Sequence, residues 1–185
     1  MSAIHEHVLQ NGMTLLCWPQ RHLHGLEFGL YLKGGPLYET EETQGISNLL
    51  EHLCFRGLGG LNREGLLREL NRFGTNLDAA TYAEGLVFRL KCLPRFFDAA
   101  LEYFLRFFAN VPWTPEQIAA EKQVVLRQLE ADGDGDLFDR AACDFRKTEN
   151  GAFPPLGTPE SLMALTEADI QLWQEMIFQP QNACL

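Results

Sequence analysis

Residues 45–57 read Gly-Ile-Ser-Asn-Leu-Leu-Glu-His-Leu-Cys-Phe-Arg-Gly, and this stretch predicts the helix around which the fold is built. Its apolar side chains recur at the three- and four-residue spacing of an amphipathic helix; they are Ile46, Leu49, Leu50, Leu53 and Cys54. We expect the helix to span about 46–55, because the glycine-rich stretch that follows ends it. Asn48 and His52 are four residues apart and therefore lie on the same side of this helix.

Strands and further helices are predicted on both sides of this helix. The runs Ile4–Leu9 and Met13–Trp18 flank Asn11-Gly12, a pair that favours the type I′ turn of a hairpin because both residues tolerate positive φ. Three more strands are predicted, at 26–32, 75–82 and 86–93. More helices are predicted at about 62–74, 94–108, 114–132 and 137–146, with two others capped by Thr158 and Thr166. Helices that cover only one side of a largely antiparallel sheet imply a two-layer α+β sandwich.

The helix predicted at 62–74 carries clear signals at both ends. Asn62 is a predicted N-cap, and Gly74 is the predicted C-terminal glycine. Its leucines are expected to face the core; they are Leu66, Leu67 and Leu70. A capping box is predicted in the same way from the segment 114–117, Thr-Pro-Glu-Gln.

The composition excludes several classes of partner. The chain has 185 residues and a formal net charge of −10, which argues against nucleic acid or an anionic membrane as a partner, since both attract basic surfaces. No apolar run is long enough to cross a membrane, and the N-terminus lacks the pattern of a signal peptide. We therefore expect a cytoplasmic protein. The five cysteines are odd in number and widely spaced, which indicates reduced thiols.

Two groups of polar residues resemble metal sites, but each lacks part of the residue pattern that metal binding requires. The acidic run 132–136 resembles the start of an EF-hand loop, but Cys143 stands where that loop needs a glutamate. We predict an acidic turn there. The remaining histidines form no His-x-x-x-His pair and are predicted to lie on the surface; they are His5, His7, His22 and His24.

Residues 45–57 resemble the Gly-x-x-His-x-x-Glu-His-x-x-Phe-x-Gly segment of the inverted zincins, the M16 metallopeptidase family of pitrilysin and the mitochondrial processing peptidases. Further segments are similar to the same family in the same order along the chain; they are Gly34-Gly35, Tyr38-Glu39, 76–82, 121–129 and 179–182. Similarity in the same order over nearly the whole chain is much more specific than a five-residue motif. The resemblance implies the metallohydrolase domain of M16 peptidases.

The resemblance also implies roles for individual residues. In the family, two histidines of the His-x-x-Glu-His helix and a glutamate of a later helix bind zinc, and the glutamate of the motif is the general base. Glu51 matches the general base, and His52 matches the second histidine ligand. Asn48 stands in place of the first histidine, and Gln128 in place of the glutamate ligand. Glu121 matches a second acidic position of the family, on the helix that carries the glutamate ligand and beside the ligands themselves.

Two of the three ligand positions therefore carry neutral carboxamides. These are poor zinc ligands beside imidazole and carboxylate, so we expect a degenerate site with no zinc, although zinc is the family's cofactor, and an idle Glu51. Alternatives remain for the polar residues. His52 could be a hydrogen-bonded residue of a packed helix, and Glu51 a solvated or arginine-paired carboxylate, with Arg127 as one candidate partner. Glu130 could replace the third ligand, but it points elsewhere on its helix. The two carboxamides could also hydrogen-bond across the site.

The family builds its proteins from paired homologous domains that enclose a chamber for unfolded peptides. The resemblance therefore implies that 1–185 is an N-terminal M16-type domain without its last strand or strands, and a fragment of a longer chain. We expect an inactive domain that binds a peptide or a partner as half of a clamshell. Its partner would be a homologous M16 domain in the same chain or in another subunit. Two alternatives are an active zinc endopeptidase with unconventional or partner-completed ligands, and a purely structural subunit.

Overall fold

Short strands alternate with helices in the computed structural model, which describes residues 3–20, 22–109, 112–131 and 153–185. The strands are β1 (His5–Val8), β2 (Thr14–Cys17), β3 (Leu26–Lys33), β4 (Gly57–Leu58), β5 (Leu61–Asn62), β6 (Leu77–Tyr82), β7 (Gly85–Cys92) and β8 (Ala183–Cys184). The helices are α1 (Ile46–Cys54), α2 (Arg63–Phe73), α3 (Phe97–Leu105), α4 (Pro115–Ala131), α5 (Pro159–Ala164) and α6 (Glu167–Ile177). The predicted helix at 137–146 and the acidic run 132–136 lie outside the described residues. No helix in the described ranges has both the length and the apolar composition needed to cross a bilayer.

Six of the strands form one sheet, in the order β1-β2-β8-β3-β7-β6. Neighbouring strands are antiparallel except β2 and β8, which are parallel. The central pair, β3 and β7, runs from Leu26 opposite Cys92 to Lys33 opposite Gly85. Buried and exposed side chains alternate along both strands, so one face of the sheet packs against the helices and the other faces solvent. The predicted two-layer α+β sandwich is therefore confirmed.

Helix α1 is buried around most of its circumference. It contacts α4, α6 and β6. The predicted apolar face is buried, but so are the polar residues Ser47, Asn48 and Glu51. The sequence predicted a single buried face. The structure differs because α4 and α6 pack against the helix in addition to the sheet.

The predicted helix caps are confirmed. The Asn62 side chain accepts a hydrogen bond from the backbone N–H of Gly65 at 2.9 Å, and Gly74 ends α2 in the left-handed conformation with φ of 67°. At the start of α4, the Thr114 hydroxyl accepts from the Gln117 N–H at 3.3 Å, while the Gln117 side chain accepts from the Thr114 N–H at 2.8 Å. These local signals place the helices that carry the candidate site.

The turn between β1 and β2 differs from the predicted two-residue type I′ turn. The N–H of Leu9 donates to the Met13 carbonyl at 2.8 Å, and the N–H of Gly12 donates to the Leu9 carbonyl at 2.9 Å. The loop therefore has three residues, with Gly12 at φ of 86°. A three-residue loop with its glycine in the left-handed region also suits the twist of a hairpin, so Asn-Gly alone does not select between the two turns.

Leu67 was predicted to lie in the core but lies at the surface of α2. Leu66 and Leu70 are buried as predicted, but Leu67 is 48% exposed. The leucines at positions 66, 67 and 70 occupy a wider arc of α2 than the arc that contacts neighbouring elements. Leu67 therefore lies outside the contact.

Candidate functional site

The N-terminus of α1 is held by a buried carboxylate. Glu39 accepts hydrogen bonds from the backbone N–H groups of Gly45 at 2.8 Å and Ser47 at 3.0 Å. Burial raises the pKa of Glu39, although hydrogen bonds from Ser47 and Gly45 act in the opposite direction. The indole N–H of Trp173 in α6 also donates to the Ser47 hydroxyl at 3.2 Å. These contacts fix the position of the helix that presents the site.

Asn48 lies on the buried side of α1, where it is 8% exposed. Its Oδ1 atom has no hydrogen-bond partner among the described residues. Gln128 lies on α4 and is exposed. The described part of the chain contains no hydrogen bond between the two carboxamides, the alternative that the sequence left open. A buried amide oxygen without a partner is costly, which makes Asn48 an unusual residue for a purely structural position.

Glu51 is buried and hydrogen-bonded. The Thr81 hydroxyl in β6 donates to its Oε2 atom. Burial raises the pKa of Glu51, while the Thr81 hydrogen bond and the nearby His52 partly offset the effect. The prediction of a solvated or arginine-paired carboxylate is therefore wrong, and its candidate partner Arg127 is exposed. The sequence could not indicate Thr81, because this contact joins α1 to a strand of the sheet.

Glu121, His52 and Arg56 form a cluster between α1 and α4. Glu121 is buried, with 5% of its surface exposed. Its Oε2 atom lies 3.4 Å from Nδ1 of His52, and its Oε1 atom accepts a hydrogen bond from Nε of Arg56. Burial alone would raise the pKa of Glu121, but the contacts with His52 and Arg56 outweigh it and hold the pKa below its usual value. Sequence reasoning placed Glu121 beside the site but missed Arg56.

These residues do not fit a catalytic zinc ion. Zinc in such sites takes three histidine, cysteine or carboxylate ligands, and within residues 3–20, 22–109, 112–131 and 153–185 no three such side chains converge. His52 offers an imidazole, but its Nδ1 faces Glu121, and the other two positions offer carboxamides. The alternative ligand Glu130 is exposed on α4. The roles carried over from the family to Glu51, His52, Asn48, Gln128 and Glu121 remain predictions.

The Glu121 cluster should contribute to stability. We expect Glu121→Gln to lower the free energy of unfolding by about 1–3 kcal/mol, because the guanidinium of Arg56 loses its buried anionic partner. Urea denaturation measures this change. Glu64→Gln is the matched control: Glu64 pairs with Arg68 on the exposed face of α2, so its loss should cost less than about 0.5 kcal/mol.

The cost of Glu121→Gln should also depend on pH. The pKa of Glu121 is held below its ordinary value of 4.5, so its stabilising contribution is complete above that value and is lost as the pH falls through the lowered pKa. The free energies of unfolding of the wild type and of Glu121→Gln should therefore differ most near neutral pH and become equal in acid. A difference that grows as the pH falls would contradict this assignment.

Comparison with known proteins identifies relatives of this chain. The sequence profile of the family described as Insulinase (Peptidase family M16) matches residues 24–142. An uncharacterized zinc protease of Rickettsia felis is 28% identical over 162 residues, which cover 86% of this chain and 39% of that protein. The mitochondrial-processing peptidase subunit beta of Caenorhabditis elegans is 27% identical over 146 residues, covering 77% of this chain and 32% of the relative. This chain spans less than half the length of either relative.

Solved structures share the fold. A protease from Helicobacter pylori superposes with a TM-score of 0.88 at 22% identity, covering 99% of this chain and 45% of that one. A peptidase M16 inactive domain from Pseudomonas fluorescens superposes with a TM-score of 0.84 at 15% identity, covering 98% of this chain and 45% of that one. The profile match covers more than half of the sequence, and the fold agrees with it. The protein belongs to the M16 family of peptidases.

Proposed function

We propose that this protein is an M16 peptidase-like domain without zinc-dependent catalysis that binds a peptide or a partner as one half of a clamshell. The observation that carries the proposal is the donor set of the site. Asn48 and Gln128 offer neutral oxygens where the family places a histidine and a glutamate, which leaves His52 as the one strong zinc donor.

The surroundings of the remaining residues support this proposal. His52 contacts Glu121, which also accepts a hydrogen bond from Arg56, so the imidazole is part of an ion-paired cluster. Glu51 is hydrogen-bonded to Thr81. In the metallopeptidase mechanism the general base acts on a metal-bound water, and the donor set here provides no strong site for that metal.

The partner in the clamshell would be a second M16 domain. Paired M16 domains enclose a chamber for unfolded peptides, and the relatives matched by this chain are more than twice its length. The peptidase M16 inactive domain from Pseudomonas fluorescens has a similar fold, so this fold also occurs without peptidase activity. The second domain would lie in the same chain or in another subunit.

Peptide binding and peptide cleavage can be measured on the same sample. We expect unstructured peptides to bind in isothermal titration calorimetry and to stay intact by mass spectrometry, with or without added zinc. Glu51→Gln should behave as the wild type in both measurements, because the proposed function assigns Glu51 no catalytic step. Cleavage that requires zinc and disappears in Glu51→Gln would show instead that the domain is an active peptidase. Absence of any peptide binding would leave a structural subunit.

A further inference from the structure

A cavity of about 320 Å³ lies between α1, α2 and α4, next to the Glu121 cluster. Its volume falls within the range of roughly 300–1,000 Å³ that is usual for ligand sites. One wall is apolar and consists of leucines from α2 and β6; they are Leu66, Leu67, Leu70 and Leu77. Charged side chains line another part of the wall; they are Arg56, Arg63 and Glu121. The cavity thus combines an apolar surface with fixed charges.

Leu67 and Tyr103 both line this cavity, but they differ in burial. Leu67 is 48% exposed, although Leu66 and Leu70 on the same helix are buried. Tyr103 is 2% exposed, and its hydroxyl has no hydrogen-bond partner in the described part of the chain. That hydroxyl is too deeply buried for a ligand in the cavity to reach. The exposed surface of Leu67 and the other leucines of the wall therefore suit a ligand with an apolar part.

The charges of the cavity favour an anion. Arg56 and Arg63 outnumber the single carboxylate, Glu121, in a chain whose net charge is −10. Arg63 has no ion pair with any described residue, and Arg56 donates to Glu121 through Nε. The other N–H groups of Arg56 make no hydrogen bond within the described ranges. Guanidinium groups with unused donors are well suited to bind a carboxylate.

We propose that this cavity binds a peptide through one apolar side chain that is adjacent to a carboxylate. This inference rests on the peptide-binding function proposed above and names the chemistry that the site selects. The apolar side chain packs against the leucines, and the carboxylate contacts Arg63 and the unused donors of Arg56. The carboxylate belongs either to the C-terminus of the peptide or to an acidic side chain.

Three unstructured Gly-Ser peptides with acetylated N-termini test the ligand chemistry by isothermal titration calorimetry. The first ends in leucine with a free carboxylate, the second carries an internal Leu-Glu and an amidated C-terminus, and the third carries leucine with no carboxylate. We expect the first, the second or both to bind at least about tenfold more tightly than the third. Tighter binding of the first identifies a C-terminus, and tighter binding of the second an acidic side chain. Equal affinity of all three would overturn the proposal.

Variants at the exposed edge of the cavity test its position without affecting the core. Leu67→Ala should weaken binding about tenfold, and Arg63→Ala about threefold. Their matched controls are Leu172→Ala, on the exposed face of α6, and Arg68→Ala, on the exposed side of α2; both should bind as the wild type does. Unchanged affinity in Leu67→Ala and Arg63→Ala would overturn the proposal.

Tyr103→Phe is a control at the buried wall of the cavity. Removing an unpaired buried hydroxyl should raise the resistance of the free protein to urea, while the affinity for the peptide stays at the wild-type value because the ligand does not reach that oxygen. A loss of affinity of about tenfold would contradict the position assigned to the ligand. If Leu67→Ala and Arg63→Ala bind peptide as the wild type does without cleaving it, the proposed function stands and the cavity assignment alone fails. Cleavage of the peptides would refute the proposed function and leave the cavity assignment intact.

Discussion

Replacing Asn48 by histidine and Gln128 by glutamate in the same chain should raise its zinc affinity by more than about 100-fold. Loss of a residue that only supports a metal ligand typically costs about 10- to 100-fold in affinity, and this double variant restores two direct ligands. Together with His52 it would offer two imidazoles and one carboxylate, the donor set of a catalytic zinc site. Competition with a zinc-binding dye at neutral pH measures the change.

The two single variants, and a double variant with its new carboxylate at another position of α4, provide the controls for this result. Asn48→His and Gln128→Glu alone should each increase the affinity less than the pair does, because each leaves a carboxamide among the three ligands. Asn48→His combined with Gln123→Glu adds the same groups but places the carboxylate at a different exposed position of α4. It should bind zinc no more tightly than Asn48→His. If the double variant binds no more zinc than the wild type, the assignment of Gln128 to the ligand position is wrong.

The second large effect is expected in the core beneath the site. Leu49 has 0% exposure in α1, and Leu49→Ala should lower the free energy of unfolding by about 2–5 kcal/mol through lost burial and the cavity left behind. Urea denaturation followed by circular dichroism measures this. Leu67→Ala removes the same atoms from the exposed side of α2 and should cost less than about 1 kcal/mol. Equal losses in the two variants would contradict the burial of α1.

The parts of the fold that depend on near neighbours in sequence could be predicted. Asn62 caps α2 because its side chain reaches an N–H three residues along the chain, and this pattern is visible in the sequence. The alternation along β7 likewise indicates a strand with one solvated face. The predicted turn type of the hairpin was wrong because Asn11-Gly12 suits both a two-residue and a three-residue loop. The predicted burial of Leu67 was wrong because burial depends on which neighbours α2 packs against.

The candidate site was only partly predictable for a similar reason. The shared face of Asn48 and His52 follows from helix geometry alone. The partner of Glu51 is Thr81, 30 positions away, and the partner of Arg56 is Glu121, 65 positions away. Such contacts arise from the packing of α1 against β6 and α4, which residue spacing does not reveal. They give His52 and Glu51 neighbours that the family motif alone did not indicate.

The zinc content of the purified wild-type protein tests the loss of metal binding most directly. Protein purified without chelator, dialysed against metal-free buffer and measured by inductively coupled plasma mass spectrometry should contain far less than one zinc per chain. Refolded Asn48→His/Gln128→Glu protein, treated in the same way after zinc addition, serves as the positive control. A stoichiometric, tightly held zinc ion in the wild type, released by chelator and lost in His52→Ala, would contradict the proposal that this site has lost its metal.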